Sequence, residues 1–133
     1  MTHFGARPRF EMFADGSIVV RAGTQTNCGG IAEARVFIVE HGGDGLECVV
    51  ARGQATPAMR GAISATSVPS EYREAMFAGA RDAYARRAVT FGICVELLEA
   101  LVHPVDANER RFREAGASAV DGWLDWHRGR ERG

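Results

Sequence analysis

The segment Phe91–Val102 constrains the fold more than any other part of the chain, because it is an almost unbroken run of apolar residues. Such a run is typical of a strand at the centre of a sheet, where both faces are covered. Periodicity alone also permits a buried helix, since Glu96–Ala100 contains good helix formers. On either interpretation the segment belongs to the core.

Four shorter β-type runs fill the first half of the chain. The first two are joined by Asp15-Gly16, a pair that tolerates positive φ and strongly indicates a hairpin. The third run is rich in β-branched and aromatic residues, and the fourth returns after a glycine-rich turn. We predict strands at Arg9–Phe13, Ser17–Ala22, Arg35–His41 and Leu46–Arg52, with loops at Gly23–Glu33, Gly42–Gly45 and Gln54–Ser67.

Two segments carry apolar residues at three-and-four spacing and are predicted to be amphipathic helices. The first spans Glu71–Arg87, with Pro69 and Ser70 marking its start. Its small residues predict close packing against a sheet. The second spans Ala107–Trp126, and Gly129–Gly133 is expected to fray. The predicted buried stripes are Tyr72, Ala75, Met76, Gly79, Ala80, Ala83 and Tyr84 in the first helix, and Phe112, Ala115, Gly116, Ala119, Trp123 and Leu124 in the second.

The composition excludes several classes of protein. The 133 residues are expected to form one domain, with an ordered core at residues 9–127. A formal net charge of −1 argues against a general nucleic-acid binder. All sixteen Lys and Arg residues are arginine, so a Walker-type phosphate-binding loop, which needs a lysine, is excluded. Three well-separated cysteines, no secretory signal and no apolar run of about 20 residues favour a cytoplasmic protein without a membrane span.

Three motifs, taken together and in order, carry a family resemblance. They are Val68-Pro69-x-Glu71-Tyr72, then Gly79, then Val102-His103-x-Val105-Asp106-x-x-Glu109-x-x-Phe112-x-x-Ala115-Gly116. They resemble domain IV of the translocation GTPase elongation factor G and of its relatives, the tetracycline-resistance ribosomal protection proteins. Gln25, and the strand that begins at Arg35, also stand where that family has a glycine-rich loop and its following strand. The resemblance covers Gly16 to Trp126.

The resemblance implies a two-layer α+β fold of the ribosomal protein S5 domain 2-like type. Such a fold has a mixed sheet with two helices packed on one face, which favours a strand rather than a helix at Phe91–Val102. It also implies a left-handed crossover, an exception to the usual rule. Two tip loops of the family's domain enter the decoding region of the ribosome. Their counterparts here make His103, Gln25 and Asn27 candidates for contact with the ribosome or RNA.

The chain also departs from the family. The loop Gln25–Glu33 lacks the family's arginine, second glutamine and tyrosine and has gained Glu33, so most groups suited to RNA contact are missing there. No GTPase domain accompanies the motifs, so neither nucleotide binding nor GTP hydrolysis is expected. Asp106 and Glu109 have the spacing of a capping box, which accounts for both acids as helix-capping groups.

No catalytic or metal-binding constellation is apparent, and no enzyme activity, cofactor or metal is expected. A Cys28–His103 pair has no spacing that indicates a nucleophile and base, and His41, Asp44 and Cys48 do not form a recognisable ligand set.

Two functions therefore remain open. The first is a non-catalytic, translation-factor-like module that contacts the ribosome or structured RNA. The second is a diverged protein–protein interaction module that self-associates and has no RNA role, with Phe77, Trp123 and Trp126 as candidate contacts. For Trp123, packing in the core is the favoured alternative.

Overall fold

The structure, a computed structural model, describes residues 10–23, 30–53, 59–103 and 107–132, with side chains described as far as Arg130. Six strands, one short 3₁₀ turn and two helices make up these ranges. In chain order they are β1 (Phe10–Met12), β2 (Ile18–Gly23), β3 (Ile31–His41), β4 (Leu46–Val50), β5 (Ile63–Ser64), the 3₁₀ turn Ala65–Ser67, α1 (Ser70–Arg86), β6 (Gly92–Leu101) and α2 (Glu109–Arg132).

The last strand of the chain, β6, lies inside the sheet. The strand order is β1-β2-β3-β6-β4, and β5 pairs with the end of β6 beyond β4. All neighbours are antiparallel except β4 and β6, which are parallel, so the sheet is mixed. The prediction of a central strand at Phe91–Val102 is confirmed, and the alternative of a buried helix is wrong.

A β-bulge at Leu98 separates two parts of β6. Arg35 pairs with Glu99 and Val36 pairs with Leu97, so Leu98 has no direct partner on β3. Because of this extra residue, Leu97 and Ala100 both lie in the core, although strict alternation would place them on opposite faces. Glu99 consequently points to the face of the sheet opposite the helices.

The hydrophobic core lies between one face of the sheet and the two helices. It takes alternate residues from β2, β3 and β6 and the inner stripes of α1 and α2. The predicted two-layer α+β fold, a mixed sheet with two helices packed on it, is confirmed. The fully buried members with the largest side chains are Ile18, Val20, Val36, Met76, Ile93, Val95, Leu97, Phe112 and Val120.

The helices touch each other at two glycines. A Cβ atom on Gly79 of α1 would lie 1.9 Å from the carbonyl oxygen of Arg113, and one on Gly116 of α2 would lie 1.9 Å from that of Met76. Only glycine therefore permits this crossing. The small-residue face of α1 was predicted to pack on the sheet; at Gly79 it packs on α2 instead.

The ends of several elements differ from the predictions. β3 begins at Ile31, four residues earlier than predicted, because Ile31 and Ala32 continue the pairing with β2. The loop predicted at Gln54–Ser67 contains β5 and the 3₁₀ turn. Ser70 is the first residue of α1 rather than its cap, and Pro69 occupies the N-cap position without a side-chain hydrogen bond.

The second helix starts and ends later than predicted. It begins at Glu109, and it continues to Arg132 through the segment expected to fray. The chain continues as a helix although Gly129 lies within it. Its inner stripe is as predicted, with Val120 as an additional buried residue.

Candidate functional site

The described residues that flank the candidate loops lie at one end of the sheet. β2 ends at Gly23 opposite Ile31, where β3 begins, and Glu33 of β3 pairs with Leu101 at the end of β6. His103 follows β6 by two residues, so it lies at the same end as the connection between β2 and β3. Gln25 and Asn27 belong to that connection and lie outside the described residues.

His103 is half-buried rather than exposed. Its Nδ1 atom is shielded from solvent, and its carbonyl oxygen accepts a hydrogen bond from the Ala107 amide at 3.2 Å. This main-chain bond links His103, which follows β6, to Ala107, which precedes α2. The imidazole therefore lies beside the end of the sheet, and only part of its ring is exposed to solvent.

Two side chains, those of Asn108 and Tyr72, hold the start of α2 in place. The side-chain oxygen of Asn108 accepts a hydrogen bond from the Arg111 amide at 2.9 Å, so Asn108 caps the helix. Asp106, the predicted cap, lies outside the described residues. Glu109 is the first residue of the helix rather than the third after its cap, so the capping box predicted for Asp106 and Glu109 is wrong. The Tyr72 hydroxyl donates to the carbonyl oxygen of Ala107 at 3.3 Å, and the Tyr72 ring stacks on Phe112 at 4.9 Å between centroids.

The connection between β2 and β3 starts and ends at two closely packed glycines. Gly23 and Gly30 have φ values of 84° and 90°, a region that favours glycine. A Cβ atom on Gly23 would lie 2.1 Å from the carbonyl oxygen of Gly30 and 3.0 Å from Nε of Arg111. The base of the connection is therefore narrow, and the Arg111 side chain lies directly against it.

Charges of both signs surround this end of the sheet. Arg111 pairs with Glu114 at 2.8 Å, and Nε of Arg21 lies 3.7 Å from a carboxylate oxygen of Glu33. Arg110 is exposed in the first turn of α2. The cations here are thus balanced by acids, and the surface is far from uniformly basic.

A buried polar network lies on the sheet face opposite the helices, and sequence reasoning missed it. Glu99 is 0% exposed, and Nη1 of Arg35 lies 3.7 Å from its carboxylate. Arg35 also donates to Asp15 at 2.7 Å and to the Ser17 hydroxyl at 2.9 Å. The sequence contained one indication of this network. Glu33 and Arg35 are two residues apart in one strand, so both side chains lie on the same face of the sheet.

The thiols of Cys48 and Cys94 are poor nucleophiles. Cys48 faces the core and Cys94 the opposite side of the sheet, since Cys94 pairs with Glu47. Burial raises the pKa of Cys48 to about 11, and burial also raises the pKa of Cys94. Both are therefore protonated near neutral pH. Cys28 lies outside the described residues. The expectation that Cys28 and His103 do not form a catalytic nucleophile–base pair therefore stays a prediction.

Metal ligands do not converge in the described part of the chain. Within residues 10–23, 30–53, 59–103 and 107–132, no group of three or more His, Cys, Asp and Glu side chains could hold a metal ion. His41 accepts a hydrogen bond from the Gly43 amide at 3.0 Å and lies against Gly92. Its role in this turn is structural.

Of the three candidate interaction residues, only Trp126 is exposed. Phe77 is buried in the core, so its prediction as a surface contact is wrong. Trp123 is also buried, and it stacks on His127 with 4.7 Å between ring centroids.

Within the described residues, no helix is both long enough and apolar enough to cross a membrane. No protein-family model matches the chain, and no curated protein matches it. Among solved structures, a crystal structure of a protein from Thermus thermophilus is similar, with a TM-score of 0.53 and 18% sequence identity. The match covers 80% of this chain but only 15% of that chain. The fold described above thus also occurs as a small part of a much longer polypeptide.

Proposed function

We propose that this protein is a non-catalytic, translation-factor-like module that contacts the ribosome or structured RNA through the end of the sheet that carries His103. The observation that supports the proposal is that the described residues flanking both segments that resemble the tip loops of elongation factor G domain IV lie at one end of the fold. Gly23 and Gly30 bracket one segment, and His103 belongs to the other.

The similarity to part of a longer Thermus thermophilus chain supports this proposal at the level of the fold. A domain of elongation factor G is likewise one part of a larger protein. Ancestry of this kind accounts for a small domain that carries loop motifs but no nucleotide-binding loop.

The chemistry of the sheet end suits a small number of contacts. Arg110 offers an exposed guanidinium in the first turn of α2, where main-chain amides also favour anions. The half-buried imidazole of His103 offers a flat ring for contact with a base or ribose. Neither group needs to transfer a proton for this function.

Ribosome co-sedimentation at low salt is the direct test. We expect the wild-type protein to pellet with ribosomes, and expect His103→Ala and Arg110→Ala each to weaken binding at least about fivefold, since a base contact of an aromatic ring and a hydrogen bond of a guanidinium each contribute roughly 1 kcal/mol or more. The matched control is Arg128→Ala. Arg128 is also exposed on α2, but it lies about 27 Å from Arg110 along the helix axis.

Two outcomes contradict the proposal. One is that the wild-type protein does not pellet at low salt. The other is that Arg128→Ala weakens binding as much as Arg110→Ala, since the contact would then not be at the sheet end.

A further inference from the structure

One edge of the sheet is left open beside the second half of β3. β2 pairs with β3 only as far as Ile18 and Val36, and the hairpin to β1 then turns back. β6 pairs with the other side of β3 as far as His41. Among the described residues, no strand pairs with Phe37–His41 on the side where β2 ends. Backbone donors and acceptors along this edge are therefore available to an added strand.

A groove of about 300 Å³ runs along this open edge. Phe37 and Val39, which are 37% and 45% exposed, line it from the sheet face opposite the helices. Trp126, 37% exposed, lines it from α2, and Arg130 lies over the Trp126 ring at 4.9 Å. A strand placed here meets large apolar side chains on both of its faces, which is the arrangement that strand addition requires.

We propose that this edge pairs with the same edge of a second copy of the chain, giving a two-fold symmetric dimer with one continuous sheet. The two β3 strands run antiparallel across the interface. The interface lies at the His41 end of β3, away from the sheet end that carries His103, so it does not depend on the function proposed above.

The charges in the groove favour a second copy as the occupant. Glu40 lies on the helix side of β3, with a carboxylate oxygen 3.4 Å from Nε2 of His127, and the cationic Arg130 lines the same groove. A surface that carries an acid and a base side by side is complementary to itself across a two-fold axis, because each acid can meet the base of the other copy.

The alternation of side chains along β3 also favours a second copy of the chain as the occupant of the groove. Residues that pair in antiparallel strands have their side chains on the same face of the sheet. A two-fold axis that passes between the two Val39 residues therefore pairs each Val39 with the Val39 of the other copy. Phe37 then lies opposite His41 on the same face, which gives two aromatic pairs. Val39 is the residue nearest the axis and therefore the most sensitive position.

Sedimentation velocity over a concentration series tests the dimer. We expect a reversible monomer–dimer equilibrium for the wild-type protein. Val39→Lys is expected to raise the dissociation constant at least about tenfold, because a charge near the axis is placed against its own copy, and tenfold corresponds to only about 1.4 kcal/mol. The matched control is Val49→Lys on β4. Val49 is 38% exposed on the same sheet face, but at the opposite edge of the sheet, and we expect no effect there.

Cross-linking provides a second measurement that does not depend on a destabilising charge. In a background with Cys28→Ser, Cys48→Ala and Cys94→Ser, we expect Val39→Cys to form a disulfide-linked dimer on oxidation, since directly opposite Cβ atoms lie about 5 Å apart. Val49→Cys is expected to stay monomeric under the same conditions.

A wild-type protein that sediments as a monomer at every concentration overturns the proposal, even if the groove binds an unrelated extended peptide. A dimer that Val49→Lys dissociates as readily as Val39→Lys also overturns it. So does failure of Val39→Cys to cross-link in a sample that contains dimer.

Discussion

At the scale of single residues, Arg35 joins three segments on the sheet face opposite the helices. It contacts Asp15 and Ser17 near the first hairpin, and Glu99 on the central strand. A fully buried carboxylate such as Glu99 is strongly destabilising without a compensating charge, so removal of Arg35 is expected to cost more stability than replacement of both partners with apolar residues. The bulge at Leu98 is what directs Glu99 toward Arg35.

The carboxyl group of Asp15 makes part of this stability dependent on pH. Hydrogen bonds from the Ser17 hydroxyl and amide, together with the nearby Arg35 guanidinium, lower the pKa of Asp15 below its usual value. A lowered folded-state pKa means that the stabilisation is present above the unfolded-state pKa of about 3.9 and is lost as the pH falls through the folded-state value.

We therefore expect the difference in unfolding free energy between the wild-type protein and Asp15→Ala to be constant from neutral pH to about pH 5 and to shrink below about pH 4. Urea unfolding at a series of pH values measures this difference. A difference that stays unchanged down to about pH 3 contradicts the assignment.

The residues of the candidate site were only partly predictable. His103 was identified because it matches a histidine in a tip loop of the family that the chain resembles, and the structure places it at the same end of the sheet as the ends of β2 and β3 that flank Gln25 and Asn27. Its partial burial was not predicted, because burial depends on the fold around a residue rather than on its neighbours in sequence. The network around Arg35 was missed because its members are distant in sequence and meet only through the strand register.

At the scale of elements, the contact between α1 and α2 determines the shape of the helical layer. The two helices cross with their backbones in contact at Gly79 and Gly116. Salt bridges flank this contact, among them Arg113 with Asp82 and Arg87 with Asp121. They are largely exposed and contribute little compared with the packing at the crossing.

Gly79→Ala and Gly116→Ala are each expected to destabilise the protein by about 1–3 kcal/mol or more, because the added methyl group overlaps a main-chain carbonyl and forces the helices apart. The matched control is Gly129→Ala in the same helix as Gly116. A Cβ atom there meets nothing within 4 Å, so we expect stabilisation of about 0.5–1 kcal/mol. Thermal or urea unfolding of the three variants gives the comparison. Equal effects at Gly79 and Gly129 would contradict a close helix crossing.

The type and order of the elements were predictable, but several of their ends were not. Apolar periodicity identified both helices and the four main early strands. The start of β3 at Ile31 was missed because Gly29-Gly30 resembles a loop, while the pairing of Ile31 with Gly23 on β2 decides the boundary. The close approach at Gly79 was predicted to be with the sheet, whereas it is with α2. Small residues indicate that another element packs closely, but they do not indicate which element it is.

At the scale of the whole molecule, charge limits the kind of RNA contact that the protein can make. The net charge is −1, and at the candidate end Arg21, Arg110 and Arg111 lie beside Glu33, Glu109 and Glu114. Few phosphates can therefore be neutralised, so most of any affinity must come from non-ionic contacts.

The salt dependence of ribosome binding is expected to be correspondingly shallow. Each neutralised phosphate contributes a slope of about −0.7 to −0.9 to log K against log salt concentration, so we expect a total slope between about −1 and −3. Co-sedimentation across a salt series measures it. A slope steeper than about −5 would indicate an extensive basic interface that these residues do not supply.

The position of β6 between β3 and β4 has a consequence for how the chain folds. β3 and β4 are neighbours in sequence, joined by the glycine-rich turn before Leu46, and they run antiparallel, yet they never pair because β6 separates them. A nascent chain that has not yet produced residues 92–101 can close these two strands into a local hairpin, which forms on a microsecond timescale of about 1–10 μs. Such a hairpin is non-native, and it has to open before β6 can enter between β3 and β4. The pairings that replace it join residues farther apart in sequence, and pairings of that kind form more slowly.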